Sequence, residues 1–247
     1  MPMQMPLIQL RNVCKKFDTN EVLKNINLSV FKGEITTIIG KSGEGKSVLL
    51  KHIIGLLKPN SGSILFSGKV LSDLSKTEQT ELRKKLSYMF QDSALFDSMT
   101  VYDNIALPLR EASALDNVVI RERVTKRMAQ LDIEGIDDQY PGQLSGGMKK
   151  RVALARALVT DPEIVLFDEP TTGLDPIRKK AVHQMIADYQ KKFGFTGIIV
   201  SHEIPDIFTI SQRIALLDKG EIIFQGNPEQ LTNEQDPTIL AFIHGGA

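Results

Sequence analysis

The sequence predicts an α/β fold in a single domain, with a mainly parallel sheet and an inserted helical segment. Strand-like and helix-like segments alternate along the chain, which is typical of a parallel sheet. The length of 247 residues suits one large domain. From residue 92 to residue 159 the pattern changes to helices alone. These residues are expected to form a helical subdomain inserted into a core of residues 1–91 and 160–247.

The individual elements follow from apolar periodicity and from turn residues. Alternating or β-branched apolar runs predict strands at residues 7–13, 22–30, 34–39, 64–66, 86–90, 164–167 and 197–200. A hairpin is expected over residues 214–224, with its turn at Lys219 and Gly220. Apolar residues three or four positions apart predict helices at 47–57, 120–131, 148–159 and 176–193. Asn227 and Pro228 should open a further short helix as its N-cap and first residue.

Composition excludes several classes of protein. Hydrophobic residues make up 42% and charged residues 24%, as in ordinary globular proteins, so a disordered chain is excluded. Thirty basic and thirty acidic residues give no formal net charge, which disfavours nucleic acid as the main partner. The single cysteine, Cys14, cannot form an intrachain disulfide. No stretch approaches the roughly 20 apolar residues that span a bilayer, so action at a membrane would require another subunit.

A glycine-rich segment matches the nucleotide phosphate-loop pattern G-x-x-x-x-G-K-[ST]. Its residues are Gly40, Lys41, Ser42, Gly43, Glu44, Gly45, Lys46 and Ser47. A β-branched strand precedes it and an apolar helix follows it, which is the context that such a loop requires. Its glycines let backbone N–H groups turn toward an anion, Lys46 suits the β and γ phosphates, and Ser47 suits Mg²⁺. The alternative is a turn that only links strand to helix.

Two acids follow the next buried strand, as Asp168 and Glu169 after residues 164–167. Ligands of open α/β sheets bind at the carboxyl ends of the strands. Asp168 is therefore placed to hold Mg²⁺, and Glu169 could polarise an attacking water as a general base. The alternative is that both residues are ordinary surface acids at a solvated strand end. The phosphate loop in the same sequence disfavours that alternative.

The stretch Leu144-Ser-Gly-Gly-Met148 resembles the signature of the ABC transporter ATPases, which usually reads Leu-Ser-Gly-Gly-Gln. The resemblance implies that Ser145, Gly146 and Gly147 meet the γ-phosphate of ATP held by a second subunit, at a dimer interface. A capped helix with a flexible start is the plainer alternative. Met148 replaces the usual glutamine beside this contact, and we expect catalysis to tolerate it.

Four more residues match the family in chain order. The resemblance implies that Phe17 stacks on adenine, that Gln91 senses Mg²⁺ and couples to the membrane subunit, that Asp175 lies at the dimer interface, and that His202 contacts the γ-phosphate. The alternatives are a strand-packing aromatic for Phe17, a polar strand end for Gln91 and a core histidine for His202. Asp175 also precedes Pro176 as a good helix N-cap.

The resemblance extends from Phe17 to the hairpin at Gly220. It implies a P-loop (RecA-like) ATPase core with an antiparallel β subdomain and an inserted helical subdomain. It also implies ATP and Mg²⁺ as cofactors, a homodimer, and integral membrane permease subunits as partners. A soluble P-loop kinase would need no signature helix, and a chromosome-maintenance ATPase would need a coiled coil that the sequence lacks. Glu169 and His202 argue against a non-catalytic scaffold.

Residues 91–111 resemble the same segment of Mla/Mce-type ATPases, a group in which methionine also follows Ser-Gly-Gly. This likeness implies phospholipid transport between the membranes of a Gram-negative bacterium. It also implies a Mce-domain lipid-binding partner and a peripheral location on the cytoplasmic side of the inner membrane. An importer or exporter of another solute is the alternative, in which Ala94, Leu95 and Phe96 only pack the helical subdomain.

The last residues, 236–247, carry an apolar patch. Its members are Ile239, Leu240, Phe242 and Ile243. The patch could dock on a neighbouring subunit or pack on its own domain, and the sequence favours neither.

Overall fold

The computed structural model describes residues 5–89, 94–112 and 115–244. Its strands are β1 (Ile8–Phe17), β2 (Asn20–Val30), β3 (Ile35–Ile39), β4 (Ser61–Phe66), β5 (Lys69–Val70), β6 (Leu86–Met89), β7 (Ile164–Asp168), β8 (Thr196–Ser201), β9 (Arg213–Asp218) and β10 (Glu221–Gly226). Its helices are α1 (Lys46–Ile53), α2 (Lys76–Lys84), α3 (Val101–Ala112), α4 (Asn117–Gln130), α5 (Gly146–Leu158), α6 (Pro176–Phe193), α7 (Pro228–Thr232) and α8 (Pro237–Ile243).

The strands form two sheets. The larger one has the order β10-β9-β3-β8-β7-β6 and is parallel from β9 to β6, with β10 as an antiparallel edge. The smaller sheet has the order β2-β1-β4-β5 and is antiparallel throughout. The predicted α/β fold, with a parallel core sheet and an antiparallel β unit, is confirmed.

Strand β3 lies at the centre of the larger sheet, between β8 and β9. All five of its residues are buried, because helices and the smaller sheet cover its two faces. Its last residue, Ile39, pairs with Ser201 on β8 and with Leu216 on β9. The parallel strands therefore bring their carboxyl ends to one edge, where the phosphate loop begins.

Helices α3, α4 and α5 occupy the chain between β6 and β7. They pack on one another through a shared apolar cluster that also reaches the parallel sheet. The predicted faces are buried as expected, including Ile120, Val124 and Met128 on α4 and Val152 and Ala155 on α5. Three packed helices are therefore inserted between β6 and β7. The limits of the predicted subdomain, at residues 92 and 159, stay a prediction.

Some boundaries differ from the predictions. Helix α1 ends at Ile53 and not near residue 57, because Gly55 turns the chain with a left-handed φ of 72°. Strand β1 extends to Phe17. Helix α2 was not predicted, and it buries only Leu82. Residue 90, the predicted end of β6, lies outside the described residues.

The carboxyl-terminal apolar patch packs on the same chain. Ile239 and Phe242 of α8 are buried in the larger apolar cluster, which agrees with the second of the two readings. Ala241 and Phe242 also line a cavity of about 150 Å³ together with Lys41 of the phosphate loop. No helix in the described part of the chain is long and apolar enough to cross a membrane.

Candidate nucleotide site

The loop between β3 and α1 has a backbone that only glycine suits at two positions. Gly43 and Gly45 have φ values of 85° and 97°. A methyl group at Gly45 would lie 2.8 Å from Cγ1 of Val22, and one at Gly40 would overlap the carbonyl oxygen of Leu217. Backbone conformation thus requires glycine at positions 43 and 45. Close packing requires it at position 45 against β2 and at position 40 against β9.

Helix α1 begins without a side-chain cap. Its N-cap is Gly45, which offers no oxygen to the first-turn N–H groups. Helices α2, α4, α5, α6, α7 and α8 are each capped by their own Ser, Asp or Asn side chain. The uncapped N–H groups and the positive end of the helix dipole make the start of α1 a fitting place for a phosphate.

The Lys46 side chain is only 4% exposed, and it bridges the loop. Its ammonium donates to the carbonyl oxygens of Gly40 at 2.9 Å and Lys41 at 2.8 Å, and it lies 3.6 Å from Oε1 of Glu169. Burial lowers the pKa of Lys46, against the opposing influence of the Glu169 and Asp168 carboxylates. The ammonium is thus fixed between the loop and the end of β7.

Asp168 ends β7 with both carboxylate oxygens engaged. The Ser47 hydroxyl donates to Oδ1 at 3.0 Å, and the Tyr88 hydroxyl donates to Oδ2 at 2.6 Å. Burial, followed by the hydrogen bond to Asp168 and its charge, raises the pKa of Tyr88. Ser47 and Asp168 are hard oxygen donors of the kind that Mg²⁺ prefers, so they fit the predicted metal.

Glu169 follows with a left-handed φ of 46°, a conformation that a non-glycine residue rarely adopts. Its Oε2 accepts the Thr172 hydroxyl at 2.9 Å and lies 3.1 Å from Nδ1 of His202. Burial alone raises the pKa of Glu169, but the contacts with Thr172 and His202 and the charge of Lys46 outweigh it, so the pKa is lowered. The side chain is therefore ready to act as an ionised carboxylate.

The structure adds partners that the sequence did not single out. Thr172 holds Glu169, and Thr171 donates to Oε2 of Glu203 at 2.7 Å. Lys179 pairs with the other oxygen of Glu203 at 2.6 Å. The threonine pair directly after Asp168, Glu169 and Pro170 was a usable signal, since hydroxyls beside strand-end acids commonly hydrogen-bond to them. His202 is 43% exposed, so the core-histidine alternative does not describe it.

Phe17 stands at the end of β1, paired with Asn20 in the turn to β2. Its side chain is one of the exposed large apolar groups, at 42% exposure, and the Lys15 ammonium lies 5.0 Å from its ring centroid. The same β2 strand carries Val22 against Gly45. Phe17 is therefore an open aromatic surface on the hairpin that packs beside the phosphate loop.

The signature residues lie apart from this cluster. Ser145 caps α5 by accepting from the N–H of Met148 at 3.3 Å, and Ser145, Gly146 and Gly147 are exposed. In the described part of the chain, no hydrogen bond or ion pair joins Ser145 to Lys46 or Glu169. Asp175 caps α6 as predicted. The remaining predicted residue, Gln91, lies outside the described residues.

The uncapped α1, the buried loop lysine and the strand-end acids together define a P-loop nucleotide-binding protein. Residues 23–172 match the family model described as ABC transporter. MlaF of Haemophilus influenzae, an intermembrane phospholipid transport system ATP-binding protein, is 38% identical over 243 residues, covering 98% of this chain and 92% of that one. The probable ribonucleotide transport ATP-binding protein mkl of Mycobacterium tuberculosis is also 38% identical over 238 residues. Its match covers 96% of this chain, which spans 66% of the mycobacterial protein's length.

Two solved structures of ABC transporter proteins also resemble this chain. The cbiO1 protein of Clostridium perfringens, part of the ABC transporter complex cbiONQ, has a TM-score of 0.84 at 33% identity, covering 96% of this chain and 94% of that one. The ATP-binding cassette MJ0796, solved as a dimer with ADP and Pi, has a TM-score of 0.76 at 32% identity, covering 89% and 98%. The chain belongs to the ABC transporter family, and the prediction of an ABC ATPase fold that binds nucleotide is confirmed at the level of that family.

Proposed function

We propose that this chain is the ATP-hydrolysing motor of an ABC transporter that moves phospholipid between membranes. The observation that carries the hydrolytic part is the setting of Glu169, whose two oxygens face Lys46 on one side and Thr172 and His202 on the other. A strand-end carboxylate that three neighbouring side chains orient is placed to take a proton from a water molecule beside the phosphates.

Each neighbouring side chain has a part in this proposal. Lys46 and the first-turn N–H groups of α1 bind the β and γ phosphates, and His202 contacts the γ-phosphate from β8. Ser47 and Asp168 hold Mg²⁺, whose charge neutralises the phosphate oxygens when it is bound. Glu169 orients the attacking water and accepts its proton. Gln91 joins the metal site and Phe17 stacks on adenine by family resemblance.

The site is completed by a second copy of the chain. A methyl group built on Gly146 or Gly147 would meet no atom of the described residues within 4 Å, so none of those residues requires glycine there. Two glycines and an exposed serine at a helix start instead leave room for a phosphate that approaches from outside. We place ATP between Lys46 of one protomer and residues 145–147 of its partner, with Asp175 at the same interface. The dimeric cassette of MJ0796 supports this arrangement.

The phospholipid part rests on the likeness to MlaF. MlaF of Haemophilus influenzae aligns over 92% of its own length, whereas the equally identical mkl aligns over 66%. Transport of a ribonucleotide, the cargo in the name of mkl, is therefore the second candidate. The proposal also includes permease subunits and a Mce-domain lipid-binding protein as partners. It places the chain peripherally on the cytoplasmic side of the inner membrane, with residues 92–159 as the subdomain that transmits motion.

Co-purification tests the proposal. A tagged Glu169→Gln chain is trapped with ATP in detergent, and the associated proteins and lipids are identified by mass spectrometry. A permease bound to a Mce-domain protein, with phospholipid present, is the expected result. A permease with a solute-binding protein would keep the motor and remove the lipid cargo. Recovery of no membrane protein would contradict the transport role.

A further inference from the structure

Tyr88 lies on β6, one strand away from the acids of β7. In the parallel register it pairs with Leu166, and Asp168 follows two residues later on the same face of β7. The Tyr88 ring packs against the apolar cluster that contains Leu166, while its hydroxyl reaches Asp168. Only a long side chain with a polar tip can fill the apolar position and still reach the end of the neighbouring strand.

The hydrogen bond from Tyr88 occupies one oxygen of a carboxylate whose other oxygen faces the phosphate loop. The 2.6 Å distance is typical of a short, charge-assisted bond from a hydroxyl to a carboxylate. Oδ1 of Asp168, by contrast, contacts the Ser47 hydroxyl at the start of α1. Each oxygen of the carboxylate thus has its own donor, so the side chain is oriented before any ligand arrives.

We propose that Tyr88 is a positioning residue for the metal site: its hydroxyl anchors Oδ2 of Asp168, so that Oδ1 is presented to Mg²⁺ beside Ser47. This inference rests on the proposed function, in which Ser47 and Asp168 hold the ion. A carboxylate that is already oriented binds a cation without first losing rotational freedom, and such supporting contacts typically change metal affinity by about 10- to 100-fold.

Tyr88 donates its hydroxyl hydrogen to the Asp168 carboxylate, which accepts it. Tyr88 takes no proton from the substrate, which distinguishes its part from that of Glu169.

The test compares Tyr88→Phe with the unaltered chain. Phenylalanine keeps the ring in the apolar cluster and removes only the hydroxyl. Two quantities are measured: the Mn²⁺ concentration that half-saturates the ATP-bound chain, followed by the EPR signal of the free ion, and the Mg²⁺ dependence of ATP hydrolysis. Tyr189→Phe is the matched control, because the Tyr189 hydroxyl is also partly buried and lies 3.5 Å from Nη1 of Arg151.

We expect Tyr88→Phe to raise both half-saturating metal concentrations about tenfold. ATP affinity in EDTA and the hydrolysis rate at saturating Mg²⁺ should stay close to those of the unaltered chain. Tyr189→Phe should leave the metal dependence unchanged. Tyr88→Met, which keeps an apolar side chain without a donor, should reproduce the shift and guards against a folding defect in one variant.

Three outcomes would overturn the inference. Unchanged metal half-saturation in Tyr88→Phe, with or without a lower melting temperature, would leave Tyr88 a packing residue and the motor role intact. An equal shift in Tyr189→Phe would mean that the effect is not specific to Asp168. If the unaltered chain bound ATP and showed no Mn²⁺ binding and no Mg²⁺-dependent hydrolysis, the proposed function itself would fail, and the inference with it.

Discussion

The Nδ1 atom of His202 lies 3.1 Å from Oε2 of Glu169, so the residues that follow two neighbouring parallel strands meet at one carboxylate oxygen. Thr172 donates to the same oxygen, and the opposite oxygen faces Lys46. Each oxygen of Glu169 thus has its own set of partners. A change at any of them should alter the direction of this carboxylate as well as its pKa.

Glu169→Gln should bind ATP normally and hydrolyse it at least about 100-fold more slowly, the scale of losing a general base. The amide keeps the size of the side chain but cannot accept a proton. Steady-state phosphate release and the affinity for a fluorescent ATP analogue measure the two effects. Glu163→Gln is the matched control, since Glu163 precedes the opposite end of β7 and pairs with Lys32 and Lys85. Near-normal turnover in Glu169→Gln would remove it as the base.

Ser145→Arg should abolish hydrolysis by placing a long side chain where the partner's ATP is expected. Ser75→Arg is the matched control, because Ser75 is also an exposed N-cap and accepts from the N–H of Glu78. Each variant loses a helix cap, at a cost of about 1 kcal/mol, so their stabilities should be similar. The rate of phosphate release from ATP should therefore fall in Ser145→Arg and stay normal in Ser75→Arg. Active Ser145→Arg, or an unaltered chain equally active as a monomer at high dilution, would refute the shared site.

Lys46→Ala should weaken ATP binding by at least about tenfold, because a charge-assisted contact to the phosphates is lost. Equilibrium binding of a fluorescent ATP analogue measures the change. Lys51→Ala provides the comparison, since Lys51 is exposed in the last turn of the same helix. Equal affinity for ATP in the two variants would show that Lys46 does not bind the phosphates.

Gly45→Ala should lower the free energy of unfolding by at least about 2 kcal/mol, through a strained φ and a contact of 2.8 Å with Val22. Gly68→Ala shares the positive φ, at 81°, but its methyl would meet no atom within 4 Å. It should cost about 1 kcal/mol. Urea unfolding without nucleotide gives both values, and equal losses would mean that the contact with β2 has no effect on stability.

Much of the site and two of the helix caps were predictable because local sequence determines them. The phosphate loop, the acids after β7 and the caps at Asp175 and Asn227 each depend on residues that are neighbours along the chain. Glycine spacing and cap chemistry describe such features directly. The roles assigned to Ser145 and Phe17 came from resemblance, and they stay predictions.

Other features depend on tertiary contacts that no local pattern contains. Helix α2 buries only Leu82, so it lacked the apolar periodicity that reveals a helix. The reach of Tyr88 to Asp168 depends on the register between β6 and β7. The apolar residues of α8 indicated that this face is buried, but not against what. Phe242 packs on its own domain, which favours this interpretation over docking on a neighbouring subunit.

The position of α8 suits a fluorescent probe of nucleotide binding. Ala241 is exposed and borders the small cavity that Lys41 also lines. A fluorophore attached through an engineered cysteine at this position would sit beside the phosphate loop without entering the buried core. Its emission would follow nucleotide exchange in real time.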